Sequence, residues 1–424
     1  MLEKYKTYKD SGIEWIGEIP EHWEVKRIKD IFNDIGSGAT PQSSNKSYYE
    51  NGNINWLNSS DLKNNVIYDT KLKLTQKALD EVGLKIYPIN SIAIAMYGQG
   101  KTRGLVGLLQ VPTTTNQATC IMSKAKYIKP KFVFYWFISK YTDIRSINIG
   151  ATQPNMNQDF VKFLILQKPT LKEQTQIVSY LDTKTNTIEH KINLLQRKIK
   201  YYKAYCKTLI NDAVTKGLDK DIKLKDSGID WIGSIPEHWE VKRIKDIFTI
   251  SRGRAIAKTE LVDNGKYPVY SSQTKNNGIL GYLNTYDFDN DLLTWTTDGV
   301  NAGTVFIREG KFNCTNICGT LIPNKNPKLS LEYMALAVQE SSQHNKRIDT
   351  NGAKIMSNEM AVINIVFPPF QEQVEIAEYI KLKIDTISNI LKNLETQITT
   401  LKELRKTLIN EVVTGKVKVS SDLQ

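Results

Sequence analysis

Residues Lys9–Phe32 recur almost unchanged at Lys225–Phe248, with 22 of 24 positions identical at an offset of 216. The closing segments also repeat. "TLINDAVTKG" from Thr208 matches "TLINEVVTGK" from Thr407 at an offset of 199, and the ungapped match runs back through Tyr180/Tyr379 and Glu173-Gln174/Glu372-Gln373 to Pro169/Pro368. A fainter pair, Thr115-Asn116 and Thr315-Asn316, lies at an offset of 200. A chain that opens and closes twice in the same way builds the same frame twice. The period is too long for a solenoid, so the repeat is a domain-scale duplication. At 424 residues the chain also exceeds one ordinary core. The fall in offset from 216 to 199 makes the first middle 17 residues longer.

The closing segments predict long helices. Val178, Leu181, Thr185, Ile188, Ile192, Leu195, Ile199, Tyr202, Cys206, Leu209 and Ala213 advance in alternating steps of 3 and 4. Their partners are Ala377, Ile380, Ile384, Ile387, Leu391, Leu394, Ile398, Leu401, Arg405, Leu408 and Val412. Neither segment contains Gly or Pro before Gly217 and Gly415. A stripe this narrow and long predicts a coiled coil rather than a globular surface helix. Leu181, Ile188, Ile192, Leu195 and Ile199 are expected to pair with Ile380, Ile387, Leu391, Leu394 and Ile398. A helix of that length spans roughly 54 Å. Antiparallel pairing would place the two middles at opposite ends, related by an approximate two-fold. The expected fold is α+β: two mixed α/β domains, 1–170 and 218–369, separated by a long antiparallel two-helix coiled coil of segments 171–217 and 370–417, with a tail at 418–424. Glu173 and Glu372 suit the positive N-terminus of each helix.

Net charge is +12, which favours a polyanionic partner, nucleic acid first. The excess is confined to the first half: 22 basic against 15 acidic residues in 1–170, 9 against 4 in 171–217, and a balance thereafter. Both middles read as strands with long polar loops. Such runs include "INSIAIAMY", "VKFLILQKP", "YPVYSS", "DLLTWTTDG" and "AVINIVFPP", with helical stretches near 131–141 and 331–339. Bases are read by Arg, Lys, Asn, Gln, Ser and Thr, and phosphates by cations and backbone N–H groups. The loops that carry those types supply the candidate DNA contacts: Thr40, Gln42, Gln99, Lys101, Arg103, Gln153 and Asn155 in the first middle, and Arg252, Arg254, Lys258, Gln273, Lys275, Asn301 and Lys354 in the second.

Enzyme motifs are approached but not met. "AMYGQGKTRG" lacks the leading Gly of a phosphate loop, since Ala95 stands there, and Gly104, Gly107 and Pro112 argue against the helix that must follow. "FPPF" at 367–370 puts an apolar Phe where an adenine methyltransferase holds its target amino group. "EVK" at Glu24 and Glu240 has no acidic partner of nuclease spacing. The four histidines are scattered, His22 and His238 being expected to pack in the repeated turn. Four cysteines suit a reducing compartment; Cys314 and Cys318 lie four apart, but Cys120 and Cys206 are distant and no histidine pair accompanies them, so no zinc site is expected. "MLEKYKTYKD" has no apolar signal core, and no run is long enough to span a membrane; a cytoplasmic location is expected.

The doubled "GIxWIGxIPEHWEVKRIKDIF", "KYPVYSSQTKNNGILGY" and the two "PxxxEQ" helices ending in "TLIN" resemble the DNA-specificity subunit of type I restriction–modification systems. The resemblance covers nearly the whole chain. It implies a non-catalytic subunit that reads a bipartite DNA target, one half per recognition domain. Its helices would act as spacer and as docking surface for two methyltransferase subunits, with restriction subunits joining them. It also implies that S-adenosylmethionine, ATP and magnesium are bound by the partners and not by this chain. A stand-alone DNA-binding regulator, a coiled-coil scaffold and a nucleotide-binding enzyme remain the alternatives. In the repeated opening, Trp23-Glu24-Val25 reads as a strand and Ile28–Phe32 as a helical turn, placed where a domain meets a helix end.

Overall fold

The computed structural model describes residues 3–98, 101–146, 156–350 and 352–419, and Asp349 by its backbone alone. Two helices dominate the chain: the first long helix, Leu171–Lys216, and the second, Phe370–Val413. The chain forms two compact units, and each takes part of both helices. Unit 1 comprises Met1–Leu195 and Thr396–Gln424; unit 2 comprises Gln196–Glu395.

Unit 1 is built on a five-stranded sheet in the order Phe32–Ser37, Thr119–Ala125, Ile92–Ala95, Val106–Leu109, Asn65–Ile67. All neighbours are antiparallel except the last pair. A smaller sheet orders Thr113–Thr115, Ile54–Leu57 and Leu72–Leu74. The apolar stretch at 131–141 becomes the helix Pro130–Ser139, which starts with Pro at its first turn and buries Phe132 through Phe137. Its side chains form one core with Trp23, Ile28, Ile177, Leu181, Ile409, Val412 and Val413. The ends of both long helices are therefore part of this core. There the two helices run antiparallel, with Arg405 Nη1 donating to Glu189 Oε2 at 3.1 Å while Ile177 shares the core with Val413.

Unit 2 has two four-stranded sheets. One runs Phe248–Arg252, Cys318–Pro323, Leu292–Thr296, Val305–Arg308; the other runs Ile279–Leu283, Tyr267–Tyr270, Lys311–Cys314, Phe288–Asp289. Ser330 caps the helix Leu331–Asn345 by accepting from Tyr333 N–H. Its core joins Trp239, Tyr333, Val338 and Ile365 to Leu209 and Ala213 of the first long helix and Ile376 and Ile380 of the second.

Every position of the 3–4 stripe is buried or half-buried. Among the candidate pairing residues, Leu181, Ile188, Ile192, Ile380, Ile387, Leu394 and Ile398 are at most 8% exposed, while Leu195, Ile199 and Leu391 are half-buried. Two apolar runs divide differently from their sequence reading. In "VKFLILQKP" the helix Gln158–Phe163 precedes the strand Ile165–Lys168, because Asn157 accepts from Phe160 N–H at 2.7 Å and caps a turn that buries Val161. In "AVINIVFPP" the helix Ser357–Val362 precedes the strand Asn364–Phe367.

Candidate nucleic-acid interface

The repeated opening forms the same strand and helical turn in each unit. Glu24–Arg27 pairs with Ile165–Lys168, and Glu240–Arg243 pairs with Asn364–Phe367, both antiparallel. The turns Ile28–Ile31 and Ile244–Ile247 follow. Each opening strand thus pairs with the strand that feeds a long helix.

A buried tryptophan then fastens the opening to that helix. Trp23 Nε1 donates to Glu173 Oε1 at 3.2 Å, and His22 Nε2 lies 2.9 Å from the same oxygen. Trp239 Nε1 donates to Glu372 Oε2 at 2.8 Å, with His238 Nε2 2.6 Å from Oε1. Glu173 also closes a capping box with Thr170, whose N–H it accepts at 3.1 Å and whose Oγ1 accepts from Glu173 N–H at 3.3 Å. Burial works to raise the Glu173 carboxyl, but hydrogen bonds from Thr170, His22 and Trp23 outweigh it and hold it below the usual carboxylate range.

The next residue ties in the domain. Gln174 Oε1 accepts from Lys129 N–H at 2.7 Å, and its Nε2 donates to the Pro169 carbonyl. Gln373 repeats this with Ser330 N–H at 2.9 Å and the Pro368 carbonyl. Lys129 and Ser330 are the residues that precede the buried domain helices. The other long helix ends on the same tryptophan. A Cβ on Gly415 would lie 2.6 Å from Pro20 Cδ and 3.0 Å from Trp23; one on Gly217 would lie 3.0 Å from Trp239. Both glycines have positive φ, +76° and +77°, as a helix C-terminal turn requires. Each unit is therefore locked where one long helix begins and the other ends.

On this frame the loops differ. In unit 1 the loop after Phe32–Ser37 presses against the small sheet, since a Cβ on Gly38 would fall 1.6 Å from the Thr115 carbonyl oxygen. Beyond it, exposed Thr40 donates to Gln117 Oε1 at 2.6 Å, and Gln42 is exposed. Lys101 is exposed and forms no ion pair among the described residues, and its carbonyl accepts from Tyr141. Arg103 is half-buried: its Nη2 donates to the Arg145 carbonyl at 2.8 Å, and Arg145 Nη1 returns a bond to the Arg103 carbonyl. No helix follows this loop; Val106–Leu109 is a strand. Gln99, Gln153 and Asn155 lie outside the described residues.

In unit 2 a Cβ on Gly253 would fall 2.1 Å from the Cys314 carbonyl oxygen, the same close approach as at Gly38. Exposed Arg252 reaches Met356 Sδ at 3.5 Å. Arg254 spends its charge on Glu260 at 3.0 Å and Asp287 at 3.2 Å. Lys258 and Lys275 are exposed and form no ion pair among the described residues. Asn301 sits in a turn beside the hairpin that carries half-buried Lys354, where Gly299 N–H donates to the Ala353 carbonyl at 3.0 Å. Lys101, Lys258 and Lys275 are thus the candidates best placed to neutralise phosphates, whereas Arg103 and Arg254 already hold their loops together.

Sequence reasoning passed over Arg308. It is 1% exposed, 3.6 Å above the Tyr270 ring and 4.4 Å from Phe306. Nε donates to Thr294 Oγ1 at 3.1 Å and Nη1 to the Asn277 carbonyl at 2.8 Å, while Nη2 has no partner among the described residues. Burial pushes the guanidinium down from its ordinary value. Arg308 anchors the segment next to Gln273, in which Asn276 and Asn277 take left-handed φ of 49° and 50°. Its placement at the end of a strand, Val305–Arg308, reads as a solvated cation, so the sequence carried no signal for it.

Among the described residues no group of His, Cys, Asp and Glu could hold a metal ion, and no helix is long and apolar enough to cross a membrane.

Two α+β units on one repeated frame, each carrying its own polar loops, define a tandem two-domain protein whose variable parts are surface loops. Residues 20–197 and 236–400 match the type I restriction modification DNA specificity domain. The chain belongs to this family of type I DNA-specificity subunits. A type I specificity subunit of Mycoplasma pneumoniae is 31% identical over 280 residues, covering 65% of this chain and 97% of its own. The specificity subunit of the type I restriction enzyme MjaIX of Methanocaldococcus jannaschii is 25% identical over 444 residues and covers 95% of both chains. A chain from a structure of type I restriction–modification complex assembly and conformational transition superposes with a TM-score of 0.73 over 93% of this chain and 98% of that one; at 14% identity the likeness is one of fold.

Proposed function

We propose that this chain reads a bipartite, asymmetric DNA sequence, one half-site per unit, and directs partner subunits to it. The observation that carries this reading is the pairing of a repeated lock, Trp23–Glu173 and Trp239–Glu372, with unlike loops. Equal frames suit equal partners, here two methyltransferase subunits; unlike loops suit two different half-sites. Restriction subunits complete the assembly. Taking a base out of the duplex and methylating it, adenine by family likeness, is partner chemistry. S-adenosylmethionine, ATP and magnesium belong to those partners, the chain itself is non-catalytic, and the complex works in the cytoplasm.

The test is methylation of genomic DNA by the purified chain alone and with methyltransferase subunits added, the modified positions being mapped by sequencing. Modification at one two-part sequence only after the partners are added is the expected result. Methylation by the chain alone overturns the reading.

A further inference from the structure

From His190 to Asn211 the first long helix contains no acidic residue, and six cations. Arg197, Lys200, Lys203 and Lys207, all in unit 2, are exposed, and none forms an ion pair among the described residues. At about 100° per residue these four fall within about 120° of arc, centred away from the Ile199–Tyr202–Leu209 stripe, over about 15 Å of axis. The second helix keeps only half of this face. At the offset of 199, Lys203 and Lys207 remain as Lys402 and Lys406, but Arg197 and Lys200 become Thr396 and Thr399, and Glu395 and Glu403 enter the stretch.

That asymmetry selects the occupant. A protein partner docked once on each half would need the same face twice. Duplex DNA between two half-sites passes once. Phosphates recur every ~3.4 Å along each strand, so about 15 Å of helix spans roughly four of them, and Lys and Arg contacts to phosphate carry no base information.

We propose that Arg197, Lys200, Lys203 and Lys207 form a phosphate-binding face for the unread DNA between the half-sites. This rests on the reading above. The experiment uses the complex with its methyltransferase subunits, wild type and with Arg197→Gln, Lys200→Gln, Lys203→Gln and Lys207→Gln combined. Affinity for the mapped target duplex is measured across a salt series. The slope of log affinity against log salt should become shallower by ~0.9 per lost phosphate contact, about 3–4 in all, with the methylated sequence unchanged. The Arg197→Gln/Lys200→Gln variant should lose about half of that and stands in if the fourfold variant fails to fold. An unchanged slope overturns the proposal. So does loss of methyltransferase subunits from the complex with a normal slope in what remains, which would make the face a protein-docking surface. If the wild-type complex shows no sequence-specific binding, the functional reading itself has failed.

Discussion

The indole N–H of Trp239 donates to the Glu372 carboxylate at 2.8 Å, across 133 residues of chain. Trp239 is fully buried, so Glu372→Ala leaves an unpaired N–H in a dry site. A charge-assisted bond of this kind contributes ~1.5–3 kcal/mol. Denaturant unfolding should register a loss of that size, and Glu372→Gln, which still offers an acceptor, a smaller one. Equal stability in all three proteins would show that the bond carries no net weight.

Glu173 makes stability depend on pH. Its folded-state value is held below the ordinary 4.5, so the ionised form is favoured in the folded chain. The contribution is complete above the ordinary value and is lost as pH falls through the lower folded-state value. Urea midpoints of the wild type and Glu173→Gln should differ at pH 7 and converge as the solution is acidified through that window. A gap that widens on acidification contradicts the assignment.

Gly415 and Gly12 separate two kinds of glycine. Both have positive φ, +76° and +72°, but a Cβ on Gly12 meets nothing within 4 Å, whereas on Gly415 it meets Pro20 at 2.6 Å. Gly12→Ala should cost about 1 kcal/mol from backbone strain. Gly415→Ala should cost more, by ~1–3 kcal/mol of overpacking. Thermal melts of the two variants give the comparison directly.

Arg308→Lys keeps the charge and removes the planar fork. Stacking on Tyr270 and the bond to the Asn277 carbonyl are lost together. Amide exchange should accelerate at residues 275–279 more than in the Leu292–Thr296 strand. If the half-site reading is right, recognition should relax in one half-site and not in the other.

Both long helices cross the boundary between units, at 195/196 and 395/396. Inserting seven residues into each adds about 10.5 Å of helix, roughly three base pairs of duplex. The mapped target should keep both half-sites and gain that much unread sequence between them. An unchanged gap would show that the helices do not set the spacing.

The duplication, the two long helices and the α+β class were legible because they are written as local identity and period. Trp23–Glu173 was not, although both residues were singled out: the bond joins positions 150 apart, and no period links them. The helix Gln158–Phe163 was hidden for the opposite reason. Its six residues are set by one Asn157 cap, while the apolar run around it scores as strand. In the loops, side-chain type predicted chemistry but not availability, which is why Arg254 turned out to be paired with two carboxylates while Lys275 stands exposed.

The division of the chain has a consequence for its synthesis. Unit 2 is one continuous stretch, Gln196–Glu395, whereas unit 1 borrows Ile409, Val412 and Val413 for its core. Domains usually fold in the order in which the ribosome delivers them. Here the order inverts: the core begun first is completed only when Ile409, Val412 and Val413 arrive, after all of Gln196–Glu395 has been made.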